Sequence, residues 1–250
     1  MSILTAVVRP QEFALIAADG VSTDPRTGNV HQYLEKVRVY PSLDCAIGIT
    51  GMGKMENIID RFIPPSVREF DHLIEVLPEL VRYAQKHMIE SGLLMCDDIR
   101  SNVLAAGWSN GAQEFKAFRV LTYPKVSING ETGERTTLEA WVAHEIAPYS
   151  TWESCASDPE SRKACGLDQA DDEASVLTRI VCAARQSSGK ILQDEMDYPY
   201  NAGGFAQLAL VERGHCRTWI SMSWPEDVIG EPIDPTRGAI LPSYMTENAE

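Results

Sequence analysis

The chain has no long apolar run, no cluster of basic residues and no closely paired cysteines. Its apolar stretches stop well short of the ~20 residues that a membrane-crossing helix needs, so no spanning segment is expected. No basic region precedes an apolar core at the N-terminus, so no signal peptide is expected either. Lys and Arg number 22 against 36 Asp and Glu, a formal net charge of −14. An acidic chain without a Lys/Arg patch lacks the electrostatic footprint of a nucleic-acid binder. The six cysteines (Cys45, Cys96, Cys155, Cys165, Cys182, Cys216) include no CxxC pair, and Cys155 and Cys165 have no His or Cys partners at zinc spacing. They are expected to be reduced thiols in a cytoplasmic protein. His144-Glu145 is followed by Pro148 where a zinc-protease helix would place its second histidine, so no metal is expected, and no other cofactor. No Gly/Ser or charged linker divides the 250 residues. One domain over 1–250 is expected, with an expanded region at 124–170 and an extended Pro- and Gly-rich tail at 222–250.

What the chain does have begins at its second residue. Ile3–Val8 and Phe13–Ala18 are apolar, β-branched-rich runs separated by the polar break Arg9–Glu12, with Pro10 in the connection. That pattern predicts a β-hairpin. Removal of Met1 would leave a free α-amine on Ser2 at the start of the first strand, while the second strand runs through Ala17-Ala18 into Asp19-Gly20. A hydroxyl, a free amine and a carboxylate gathered by one hairpin are the parts of an N-terminal nucleophile site, in which the chain's own amine acts as base for its own hydroxyl. The same residues also fit an ordinary core hairpin ending in an Asp-Gly turn.

Residues 21–35 read as a loop or weak ribbon. KVRVYP alternates from Lys36, and CAIGIT (Cys45–Thr50) is an apolar strand, so four strands joined by short turns open the chain in antiparallel fashion. Gly48 to Lys54 matches the G-x-x-x-x-G-K part of a phosphate loop. Met55 follows where the Ser/Thr that binds magnesium belongs, and an antiparallel strand precedes it, so a tight turn is the better reading. Residues 54–63 and about 67–90 carry helical spacing. In the second, Ile74, Leu77, Val81, Ala84 and Met88 form one stripe and Pro78 predicts a kink or two helices meeting. A second hairpin is predicted from Asn102, a helix capped by Asp171 or Asp172 with the stripe Val176, Leu177, Ile180, Val181 and Ala184, and a last hairpin turning at Arg213-Gly214.

This order of strand and helix blocks predicts an α+β fold. The hairpin ending in AADG, the EKVRVY segment, the GITGMG turn before the first helix and GGFAQLALVERG after the last helix together resemble the proteasome β-type subunits and the bacterial two-tier threonine proteases related to them. The resemblance spans roughly residues 2–120 and 172–220. It implies a four-layer αββα sandwich of two antiparallel sheets covered by helices, a ring-like homo-oligomer, and hydrolysis of peptide or other amide bonds. It leaves any ATPase regulator unidentified. On this resemblance Asp19 matches the aspartate that holds the family's lysine, Lys36 matches that lysine, and Gly51 matches the glycine whose N–H supports the oxyanion. The nucleophile is Ser2, with Thr5 as the alternative, and Asp197 stands as a possible supporting carboxylate. Ala202 occupies the position where the resemblance implies a serine, so a non-catalytic, self-assembling scaffold subunit remains the alternative function.

Overall fold

A computed structural model describes residues 3–24, 27–51, 53, 55–93, 100–128, 135–146, 172–186 and 202–234. The first hairpin is formed by β1 (Leu4–Arg9) and β2 (Phe13–Asp19), paired antiparallel with Thr5 opposite Ala17. Of the loop or weak ribbon expected at 21–35, the ribbon is present, β3 (Val21–Thr23) paired with β4 (Val30–Tyr33). β5 (Val37–Tyr40) and β6 (Cys45–Thr50) follow, joined by a short 3-10 turn. Helix α1 (Met55–Phe62) and helix α2 (Phe70–Glu90) lead into the second hairpin, β7 (Asn102–Ser109) and β8 (Glu114–Leu121). In the expanded region β9 (Lys125–Ile128) pairs with β10 (Arg135–Leu138), and β11 (Ala143–Ile146) joins β8. Helix α3 (Glu173–Gln186) precedes the last hairpin, β12 (Phe205–Glu212) and β13 (His215–Ser223).

Among the described residues every strand pairing is antiparallel. Two larger sheets result, of four strands in the order β1-β2-β12-β13 and of five in the order β11-β8-β7-β6-β5. Period-two side-chain alternation gives each sheet two different faces. Along β1, Leu4, Ala6 and Val8 join Ala14, Ile16 and Ala18 of β2 in an apolar cluster with Val37, Ala46, Leu104, Ala106 and Ala117 of the five-stranded sheet. The opposite parity, Ile3 and Val7 with Leu15 and Ala17, packs with Leu177, Ile180, Val181 and Ala184 of α3. A third cluster joins Ile47, Ile49, Val103 and Ala105 to Met55, Ile59, Leu73, Leu77, Val81, Ala84 and Met88 of α1 and α2.

Two helix details bear on the sequence reading. The expected alternative of two helices meeting at Pro78 is corrected: α2 is a single helix running through that residue. The ring removes one N–H bond, a loss of about 3 kcal/mol in a helix interior. Burial of Phe70, Leu73, Ile74, Leu77, Leu80, Val81, Ala84 and Met88 along one face outweighs it. At α3 the cap is Asp172, whose Oδ1 accepts the Ser175 N–H at 2.7 Å. Among the described residues no helix is long and apolar enough to cross a membrane.

Candidate functional site

Hairpin register places Ile3 beside the end of β2, one step beyond the Leu4–Ala18 pair. There the Ile3 N–H donates to Asp19 Oδ1 at 2.9 Å. The other carboxylate oxygen accepts from Lys36 Nζ at 2.8 Å and from the Val21 N–H at 3.4 Å. Both charged side chains are inside the protein, Asp19 at 0% exposure and Lys36 at 5%. An ammonium in such a place needs a paired anion, and the carboxylate needs every donor it has. Burial lowers the Lys36 pKa from its ordinary value, and the Asp19 charge and hydrogen bond oppose that shift without reversing it. The site thus holds a cation whose proton is less firmly bound than that of a surface lysine.

Backbone contacts fix both partners. Gly20 N–H donates to the carbonyls of Gly203 and Phe205, tying the end of β2 to the start of β12. Lys36 lies one residue before β5, and its carbonyl accepts the Ile49 N–H of β6 at 2.9 Å. One residue further along, β6 ends at Thr50 and Gly51 follows, so Gly51 and Lys36 share one end of the β5–β6 pair. Gly51 has φ +101°, and a Cβ there would run into the Arg100 carbonyl and Ser101. Only glycine fits that turn. The strand before it is antiparallel to both neighbours, which agrees with the tight turn expected there in place of a phosphate loop.

Of the residues singled out from sequence, the structure brings Asp19 and Lys36 into contact and puts Gly51 at the same end of the neighbouring strand pair. Ser2 and Asp197 lie outside the described residues. Thr5 is in mid-strand at 0% exposure, paired with Ala17 and on the same strand parity as Ile3 and Val7, which pack with α3. Among the described residues no His, Cys, Asp and Glu side chains gather as a set of metal ligands.

Two supporting groups were not singled out from sequence. Gln207, 2% exposed on β12, reaches the Lys36–Val37 backbone. Arg185 and Asp227, both 1% exposed, form a two-pronged ion pair at 2.8 Å in each arm. Asp227 also accepts the Gly204 N–H at 2.7 Å, and a Cβ on Gly203 would come within 2.5 Å of its carboxylate. The available signals were a lone amide inside the apolar run FAQLALV and an arginine continuing the apolar stripe of α3.

No protein-family model matches the chain, and no curated protein matches it. Among solved structures it is similar to Anbu (ancestral beta-subunit) from Yersinia bercovieri, at 12% identity and TM-score 0.49, over 87% of this chain and 86% of that one. It is also similar to an Anbu (Gly-1) mutant from Hyphomicrobium sp. strain MC1, at 14% identity and TM-score 0.43, over 87% and 88% of the two chains. At those identities and scores neither likeness carries a residue role or an activity across.

Proposed function

We propose that the chain is a proteasome-like N-terminal nucleophile hydrolase of peptide or other amide bonds, built as one αββα domain. The observation that carries this reading is the buried Lys36–Asp19 pair, whose carboxylate also holds the N–H of Ile3, the residue bonded to Ser2. The three apolar clusters support the four-layer order. In the proposed reaction the Ser2 α-amine takes the hydroxyl proton, the hydroxyl oxygen attacks the scissile carbonyl, and the amine returns the proton to the leaving nitrogen as the C–N bond breaks. A water, deprotonated by the same amine, then cleaves the Ser2 ester, releasing the acid and restoring the hydroxyl. A free α-amine titrates near pH ~8, and the Lys36 ammonium lowers that further, so a useful fraction is unprotonated at neutral pH. The Gly51 N–H meets the developing oxyanion. Burial of Thr5 within β1 speaks for Ser2 as the nucleophile.

The test is an epoxyketone directed at N-terminal nucleophiles, followed by peptide mass mapping. Ser2 is expected to carry the label, Ser2→Ala to lose activity by about 10³-fold or more while keeping its assembly state, and Thr5→Ala to keep the label. A label on Thr5 overturns the assignment. Absence of label together with a retained Met1 favours the scaffold reading, which the near-complete burial of Asp19 and Lys36 also suits, since a sealed ion pair serves as a structural bond.

Self-assembly through the outer side of α1 and α2 is part of the proposal. Phe62, Tyr83, Ile89 and Leu93 are all more than a third exposed there, and the Phe62 and Tyr83 rings lie 4.8 Å apart. Light scattering at micromolar concentration is expected to give a multiple of 27.7 kDa, and Tyr83→Glu to lower it. A monomer in the unaltered protein rules this out.

A further inference from the structure

We propose that Gln207 is the positioning residue for Lys36, an inference that rests on the hydrolase reading for its purpose but not for its geometry. Among the described residues β5 is an edge strand: it pairs with β6 on one side and no described strand lies on the other. At that open edge the Lys36 and Val37 N–H groups both donate to Gln207 Oε1, at 2.9 and 3.0 Å. Gln207 Nε2 in turn donates to the Val37 carbonyl at 2.9 Å. The side-chain amide therefore occupies the place of the peptide group that a further strand would supply, engaging both the N–H and the C=O of one residue as a ladder partner does. Two donors directed at one atom also settle which end of the amide is oxygen.

The amide comes from the other sheet. Its main chain is paired with Ala18 of β2, the residue before Asp19, while its side chain crosses to β5. One residue thus ties the strand that ends in the carboxylate to the strand that begins at the ammonium. Ordinary apolar packing between sheets tolerates small sliding, whereas three hydrogen bonds to a buried backbone do not. The Lys36 side chain therefore starts from a set point, from which its Nζ reaches Asp19.

Gln207→Met keeps the length and removes all three bonds. Gln207→Glu keeps the acceptor for both N–H groups and removes the donor. The readout is acetylation of Lys36 by acetic anhydride, scored by mass mapping against the exposed Lys86 of the same molecule. Gln207→Met is expected to raise relative labelling of Lys36 at least tenfold, and Gln207→Glu to leave it within about threefold of the unaltered protein. A packing role alone would make the glutamate at least as disruptive as the methionine, so equal labelling of the two variants, or no change in the folded methionine variant, overturns the proposal. In the unaltered protein the Lys36 and Val37 amides are expected to resist hydrogen–deuterium exchange as the β6 amides do. Fast exchange there overturns the proposal even if both variants fail to fold. Where hydrolysis is measurable, Gln207→Met should lower kcat tenfold or more with KM within twofold. A protein with no hydrolytic activity defeats the hydrolase reading alone, and the labelling and exchange results still decide whether Gln207 sets Lys36.

Discussion

On the proposed hydrolase reading, replacing Lys36 by methionine is expected to lower kcat for amide hydrolysis by about 10²–10³-fold, the usual loss when one charge-stabilising group leaves an active site. It is also expected to destabilise the fold by about 3–5 kcal/mol, because Asp19 would remain as a buried carboxylate without its cation. The two effects separate by pH. In the unaltered protein burial lowers the folded-state pKa of Lys36 below that of the unfolded chain. At pH below the folded pKa both states hold the proton, and the native state bears the whole cost of burying it. Between the lowered value and the unfolded value of about 10.4 the unfolded state binds more protons, so stability rises with pH across that window. Burial raises the thiol pKa values of Cys45 and Cys216, which adds the opposite slope at alkaline pH in both proteins. The readout is therefore the difference: in denaturant unfolding from pH 7 to 10.5 the unaltered protein should gain stability relative to Lys36→Met. Matching slopes in the two proteins would mean that Lys36 is not the buried cation described.

Asp227→Ala is expected to be the most destabilising change away from that pair. It leaves the Arg185 guanidinium, 1% exposed, without this carboxylate, and among the described residues its Nε has no partner. It also frees the Gly204 N–H. The cost of breaking such a buried pair is about 3–5 kcal/mol, which for a chain of this size lowers Tm by on the order of 10 °C. Arg38→Ala provides the contrast, since its pair with Asp60 is 40% and 46% exposed and should matter by less than about 1 kcal/mol. Thermal unfolding of the two variants side by side decides it, and a drop of under 2 °C for Asp227→Ala would show that the pair contributes nothing. Limited proteolysis adds a local readout. Asp227 anchors the 224–234 segment, whose Glu231 carbonyl accepts the Val30 N–H of β4, so cleavage there should accelerate.

The hairpins were legible because their physics is local. Alternation along Val37–Tyr40 and the polar break between Val8 and Phe13 act within a few residues, and the observed strands begin and end within one or two residues of expectation. The apolar stripes of α2 and α3 were legible for the same reason, apart from the effect of Pro78, where burial of a whole helix face outweighed a single lost bond. The Asp19–Lys36 contact was reachable only through the family resemblance, since nothing in the intervening loop indicates that the chain returns. Gln207 and the Arg185–Asp227 pair were not legible. Their partners are 171 and 42 residues away, and an amide or an arginine in an apolar run shows no sign in sequence of whether it is satisfied.

The late position of β12 has a consequence for how the protein is made. β2 is completed by residue 19, yet its second neighbour in the sheet begins at Phe205. A ribosome adding about 5–20 residues per second takes on the order of ten to forty seconds over such a stretch. Throughout that interval the β2 edge that β12 covers in the finished sheet has no such partner, and a two-stranded hairpin alone is at best marginally stable in water. A chain released early would hold Asp19 and Lys36 but lack the strand that locks them. The charge pair can therefore reach its final setting only after β12 has been made, because Gln207 and the Gly20–Phe205 bond belong to that strand.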